Sequence, residues 1–378
     1  MSTASSGSGV RSSVFLGAVV ASIGGPLALV ALLLADTAGS AVHASGLTTL
    51  LAIVVFLAPL AVWLGFSERI ASAGGLAAFV EAAAGRTAAR IQAAIWIVAY
   101  FLYLPYTVTQ IVYDVLAPAF PGLVAYRSSL ELVLPVAISL FALLPLATSL
   151  GVLGVVAVVQ LALVSVLGGV YFAHGGASSS TFTAHVGAAD LGRGAGGIAL
   201  LFVCASLPLF FGAEVAGAQR TVRRGLARGY GIVAAFVLFA AVPLATGGAA
   251  QLGRPLTVAV TLGAAASVAG LIVLELLALG RLVHWLIGTP VRPTLAAISV
   301  PFVVLDAISL VDPERFYNDL SRPSLVALFA SQILVFAVYP LFRRGERRRL
   351  PAAVSVAVVA AALAGYGLWL AITSSGSS

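Results

Sequence analysis

Charge is what this chain has least of. Only 9% of its 378 residues are charged and 61% are hydrophobic, whereas an ordinary soluble domain carries roughly 25% charged residues. That balance excludes water as the main solvent. Lysine is absent, and all twenty cations are arginines in short segments between apolar runs. The net charge of +7 therefore reads as a membrane-topology signal, and no nucleic-acid partner is expected. The single cysteine, Cys204, excludes a disulfide framework and a cysteine-based metal site. The four histidines, His43, His174, His185 and His284, are scattered, the first three outside the apolar runs. Neither a metal-ligand cluster nor a base beside a serine at membrane depth follows from that placement, so the chain is expected to be no enzyme, with no metal and no cofactor. Repeated filter sequences and ring-forming acidic motifs, which a channel would want, are also missing.

What is present is a series of apolar runs, each long enough to cross a hydrocarbon core of about 30 Å as a helix. The spans are expected over Val14 to Ala35, Gly46 to Phe66, Ile91 to Leu116, Leu130 to Thr148, Leu150 to Phe172 and Gly197 to Ala218. Five more cover Tyr230 to Thr246, Thr257 to Ile287, Leu295 to Val311, Ser324 to Phe342 and Ala352 to Ile372. Residues 1–13 are polar and Ser-rich and read as a disordered cytoplasmic N-terminus. The run after them is too long for a signal peptide and counts as the first span. With the N-terminus inside, fifteen arginines fall on the cytoplasmic side and five, Arg127, Arg193, Arg254, Arg315 and Arg322, on the other. This is the asymmetry of the positive-inside rule. Eleven spans then leave the C-terminus outside, in a multi-pass protein of the cytoplasmic membrane whose partners are the lipid bilayer and a small molecule. Between the second and third spans, Leu76, Phe79, Val80 and Ala83 share one helical face, which predicts a short helix at the inner surface.

Two spans are interrupted. Ser22-Ile23-Gly24-Gly25-Pro26 places two weak helix formers before a proline that lacks an N–H and disfavours helical geometry at Gly25. In the sixth span, Pro208 and Gly212 flank Leu209-Phe210-Phe211. Unwound backbone survives at membrane depth only where protein buries it or a cavity solvates it. These two spans head successive five-helix blocks, and an odd number of helices inverts the second block relative to the first. Paired interruptions in inverted halves point to the central site of a secondary transporter.

Further motifs accompany the breaks: Gly74-Gly75-Leu76-Ala77-Ala78-Phe79-Val80-Glu81 with Gly85-Arg86, then Phe210-Phe211-Gly212-Ala213-Glu214, then Gly280-Arg281-Leu282. In this combination the chain resembles the amino acid/polyamine/organocation (APC) superfamily of permeases, over spans one to ten in order and spacing. The resemblance implies an all-α polytopic membrane protein with the leucine-transporter-like fold. Its expected form is about eleven transmembrane helices in a 5+5 inverted repeat, with discontinuous helices 1 and 6 and one additional C-terminal helix. The single transporter domain covers 14–373: 14–173 as first repeat, 197–343 as second and 352–372 as extra helix. It departs from the family where Pro26-Leu27 follows the glycines, where an acidic pair and Asn-Pro are missing after Glu214, and where a twelfth helix has no room.

The implied activity is alternating-access transport of amino acids or related amines. The alternative is a channel or a non-transporting membrane receptor or structural protein. Substrate contact is expected from the backbone at Ser22, Ile23, Gly24 and Gly25, where free amides at a half-helix start attract a carboxylate. Ser206, Leu207, Phe210, Phe211 and Gly212 are expected to supply carbonyls and an aromatic wall. Tyr103 and Tyr106 of the polar third span are expected to line the site. Glu214, Glu275 and Asp306 are candidate proton carriers, since a carboxylate within a span costs about 2.5 to 3.5 kcal/mol on insertion scales and needs a reason to be there. The coupling ion, H+ or Na+, stays open. Ser267 and the backbone near Ala21 are the candidate sodium oxygens.

Overall fold

The structure is a computed structural model that describes residues 9–23, 25, 30, 44–175, 179–183, 186–243 and 252–373. Among them the chain is all-α, with no strand longer than an isolated bridge. Ten helices are long and apolar enough to cross a membrane, matching ten of the eleven expected spans. The first span enters as α1, Ser12–Ser22; the rest of that span, with Gly24 and Pro26, lies outside the described residues apart from Gly25 and Val30.

After it come α2 (Ser45–Phe66) and the short α3 (Gly75–Ala84). The third span is α4 (Arg86–Gln110), which continues through a π-helical turn at Ile111–Leu116. Next are α5 (Arg127–Ala142) and α6 (Leu146–Gly175). The sixth span starts as α7 (Ala188–Leu201) and changes to a 3-10 helix over Phe202–Glu214. The remainder are α8 (Ala218–Ala241), α9 (Arg254–Ile287), α10 (Val291–Ser309), α11 (Pro313–Arg343) and α12 (Leu350–Thr373).

Small residues decide which helices sit at the centre, because apolar burial gives little preference between lipid and protein. A Cβ on Gly17 would lie 2.6 Å from the Cα of Gly154, so α1 and α6 touch backbone to backbone. On the other side of α1, Gly225 and Gly229 of α8 leave room for Phe15 and Val19. The interrupted first span is thereby held between α6 and α8. At the periphery, Val155, Val158 and Val159 of α6, Val133 and Leu140 of α5, and Val358 of α12 are exposed, as lipid-facing side chains should be.

Helix ends carry the polar work. Asp312 caps α11, its Oδ1 accepting from the Arg315 N–H at 3.1 Å, with Pro313 in the first turn. The arginine-rich side is laced by ion pairs. Buried Arg343 donates to Glu68 at 2.6 Å, to Glu346 at 2.8 Å and to the Gly65 carbonyl at 2.9 Å, joining α2 to the inner end of α11. Arg69 reaches Glu346 at 2.7 Å and Arg223 reaches Glu68 at 3.3 Å. The hydrogen bond from Arg343 holds the Glu346 carboxyl below its ordinary value of 4.5. The α3 helix forms as the apolar spacing predicts, with Leu76, Ala77, Phe79 and Val80 buried and Phe79 stacked on Phe66 at 4.8 Å.

Candidate substrate site

The interruption in the first span is real in the backbone. The α-helix ends at Ser22, Ile23 leaves helical geometry with ψ 58, and Gly25 adopts φ +64. An L side chain is disfavoured there, and there is no space for one. A Cβ on Gly25 would fall 1.5 Å from Ser267 Oγ and 2.8 Å from Gln160 Oε1. Gln160 on α6 and Ser267 on α9 are both buried, and Ser267 donates to Gln160 at 2.9 Å. The break is therefore flanked by a hydroxyl and an amide from two different helices. Ser22 is fully buried and returns its hydroxyl to the Val19 carbonyl at 2.8 Å, which occupies one of the last acceptors of α1.

The second interruption takes another form. The sixth span does not open into coil; it tightens into thirteen residues of 3-10 helix, far beyond the three or four at which such runs usually stop. Pro208 inside it removes a donor, and Ser206 folds its hydroxyl onto the Val203 carbonyl at 3.0 Å. Gln332 of α11 approaches Ser206 Oγ at 3.4 Å, its own Oε1 being without a hydrogen-bond partner. Leu207 is fully buried.

Phe210, Phe211 and Gly212 lie toward the end that carries Arg69 and Arg281. The Phe210 ring packs on Trp96 with centroids 4.4 Å apart and covers Gly75, where a Cβ would be 2.5 Å from the ring. Phe211 lies under the Arg281 guanidinium at 5.2 Å, and Gly212 backs onto Ala71 and Ser72. These three therefore join the sixth span to the α2–α3 segment and to α9, with Phe210 as a floor beneath Trp96. Replacing Phe210 with alanine should remove roughly 3 kcal/mol of packing and lower the melting temperature in detergent, with the KM for substrate at its wild-type value. A raised KM in a normally stable variant would restore the ring to the site.

Above that floor the third span carries a ladder of rings. Trp96 stacks on Tyr100 at 4.1 Å, Tyr100 is 6.2 Å from Tyr103, Tyr103 is 5.0 Å from Tyr106, and Tyr106 meets Tyr317 at 5.4 Å. Tyr103 and Tyr106 thus share a face as their spacing implies, and Tyr100 belongs to it too. Tyr100 is buried, with Ser206 and Cys204 of the sixth span as the polar groups beside its hydroxyl.

The three candidate proton carriers separate. Glu214 is half exposed and binds Arg281 through both oxygens, at 2.6 and 3.3 Å. Arg281, itself 4% exposed, also donates to the Leu277 carbonyl at 3.0 Å. Beside this pair, Val10 bridges to Val215, with the Val10 N–H on the Glu214 carbonyl at 2.9 Å and the Ala216 N–H on the Val10 carbonyl at 3.2 Å. A cavity of about 370 Å3 opens at the same level, lined by Pro145, Glu214, Arg281, His284 and Arg292. Asp306 is buried on α10 near Glu131, whose Oε2 accepts from Ser309 at 3.4 Å. Glu275 is fully buried on α9 and neither oxygen has a partner among the described residues.

Gln160, Gln332 and Glu131 are not among the expected site residues, whereas Tyr100 belongs to the polar third span that the sequence already turns inward. Each of the first three is visible as a polar residue inside an apolar run, but the run alone does not say which face turns inward. Among the described residues no three His, Cys, Asp or Glu side chains come together as metal ligands.

The whole arrangement superposes on solved structures of a manganese transporter from Eremococcus coleocola. Its complex with an aromatic bis-isothiourea substituted compound gives a TM-score of 0.60 at 12% identity, over 97% of this chain and 88% of that one. A histidine-to-alanine variant of the same protein gives 0.58 at 11% identity over the same shares. The fold is that of a membrane transporter. No protein-family model and no curated protein matches the sequence.

Proposed function

We infer that this chain is a secondary active transporter of the cytoplasmic membrane, with its N-terminus inside, that moves amino acids or related amines by alternating access. The observation that carries the reading is the break at Gly25. There a helix stops at membrane depth, its backbone takes a left-handed turn, and buried polar side chains from α6 and α9 close around it. Such irregular backbone is stable in a membrane only where protein or a cavity satisfies it, and in transporters it is where ligands meet backbone amides and carbonyls.

A substrate carrying its own carboxylate and ammonium suits neutral partners of this sort. The APC-like motifs support the same class, since Glu214 of the sixth-span motif and Arg281 of the eighth-span motif meet in space. Manganese, which the structural neighbour carries, suits the break poorly. Divalent manganese favours anionic carboxylate together with carbonyl and water oxygens, and no carboxylate stands among the described side chains that meet Gly25, which are the Ser267 hydroxyl and the Gln160 amide, its oxygen already accepting from Ser267. Proton or sodium coupling is compatible with the site, although Ser267 already donates its hydroxyl hydrogen to Gln160.

The test is a screen in proteoliposomes: radiolabelled amino acids, amines and manganese, each with and without imposed proton and sodium gradients. Saturable uptake of an amino acid or amine is expected. Uptake of manganese with none of any organic solute would overturn the reading.

A further inference from the structure

Glu275 stands out after the site has been described. It is the most deeply placed carboxyl on α9, fully buried, with both oxygens unpartnered among the described residues. The helix that carries it packs against α4, with Tyr100, Tyr103 and Tyr106, and against the 3-10 run of the sixth span, with Cys204. None of these groups is a cation. Arg281, the nearest basic residue along the same helix, is engaged by Glu214 and the Leu277 carbonyl. A carboxylate in this position wants a positive charge, and the tyrosine faces beside it present the negative side of an aromatic quadrupole.

Helix geometry relates Glu275 to the break. Ser267, which packs directly on Gly25, precedes it by eight residues on α9. That is about 12 Å of rise and about 80° of turn, so the two share one side of the helix. Side chains on a helix lean toward its N-terminus, which here aims Glu275 back toward Ser267 and leaves a gap of roughly 7 Å. A substrate whose carboxylate sits on the backbone at Gly25 would hold a second charged group at that separation only if its side chain were long, as in lysine, arginine or ornithine.

We propose that Glu275 is the counter-ion for the side-chain cation of a basic amino acid, with Tyr100 and Tyr103 walling the aliphatic stem. The inference rests on the functional reading above and narrows its substrate class. A neutral amino acid would leave Glu275 buried and unpaired, so the site discriminates against it.

The experiment compares radiolabelled lysine and leucine in proteoliposomes of the wild type, Glu275→Gln and Glu275→Asp, with melting curves of each purified protein to establish folding. Wild type should take up lysine in strong preference to leucine. Glu275→Gln should reduce lysine uptake at least ~30-fold, the loss expected when one member of a buried charge pair is removed, and Glu275→Asp should recover part of it. Lysine should also raise the melting temperature of the wild type and not that of Glu275→Gln, a readout independent of flux. Uptake of leucine in preference to lysine, or lysine uptake unchanged by Glu275→Gln, overturns the proposal and leaves the transporter reading intact. Loss of response to a proton gradient in Glu275→Gln, with lysine binding retained, also overturns it and gives the carboxyl a coupling role. Uptake of no amino acid or amine by the wild type overturns the functional reading, and this inference with it.

Discussion

Valine in place of Gly25 is expected to abolish uptake, by about 100-fold or more, the penalty of an ångström-scale misplacement among groups that must converge on a ligand. Two independent effects combine. The backbone at φ +64 is unfavourable for any L residue and worst for a β-branched one, costing on the order of 1–3 kcal/mol. The added Cβ would also coincide with the Ser267 hydroxyl, 1.5 Å away, and press on the Ser267 Cβ at 2.8 Å. Since the obstructing atoms belong mostly to one side chain, the overlap can be relieved. Gly25→Ala alone should be nearly inactive, and Gly25→Ala with Ser267→Gly should recover part of the uptake, with a coupling energy of about 0.5–3 kcal/mol between the two positions. Initial uptake rates for the four proteins of this cycle check it. Strictly additive losses would mean that Gly25 and Ser267 do not share one site.

The second large effect concerns the inner end. Arg281 is buried and Glu214 half exposed, so Glu214→Gln removes the charge that offsets a guanidinium held at protein depth. What remains for Arg281 is the Leu277 carbonyl and the Phe211 ring. Charge-assisted hydrogen bonds contribute more than neutral ones, and the solvent exposure of Glu214 reduces the gain, so the closed inner end should lose about 1–2 kcal/mol. In a two-state carrier that shifts the population toward the inward-open state by about 5- to 30-fold. The single cysteine supplies the readout. Cys204 is buried on the sixth span, and its labelling by a membrane-permeant maleimide should speed up by the same factor in Glu214→Gln. An unchanged labelling rate would show that the pair does not hold the inner end shut. The bridge between Val10 and Val215 closes the same end through backbone alone, so some protection of Cys204 should persist in the variant.

Much of this architecture is legible in the sequence because lipid simplifies the problem. A helix that must satisfy its backbone internally announces itself by length and apolarity, which is why Ser45–Phe66 and Leu350–Thr373 fall close to the expected spans. The amphipathic face of Gly75–Ala84 is readable for a similar reason. The break at Gly25 was readable too, since Gly-Gly-Pro is local chemistry. The sixth span was harder. Pro208 and Gly212 announce an irregularity, but whether it becomes a gap or a 3-10 run depends on neighbours such as Ala71, Ser72 and Trp96. Gln160 escaped notice for a related reason: one amide in an apolar helix becomes significant only when Ser267, 107 residues away, is found beside it. Phe210 and Phe211 show the converse: a local motif is plain in the sequence, and its partners, Trp96 and Arg281, are not.

Counterflow most directly tests the claim that Gly25 marks the substrate site of a carrier. Proteoliposomes preloaded with unlabelled lysine and presented with the radiolabelled form should show accelerated, saturable uptake with the wild type and none with Gly25→Val, provided both proteins elute and melt as folded monodisperse species. Uptake that is not accelerated by internal substrate, or counterflow that survives Gly25→Val undiminished, would contradict it.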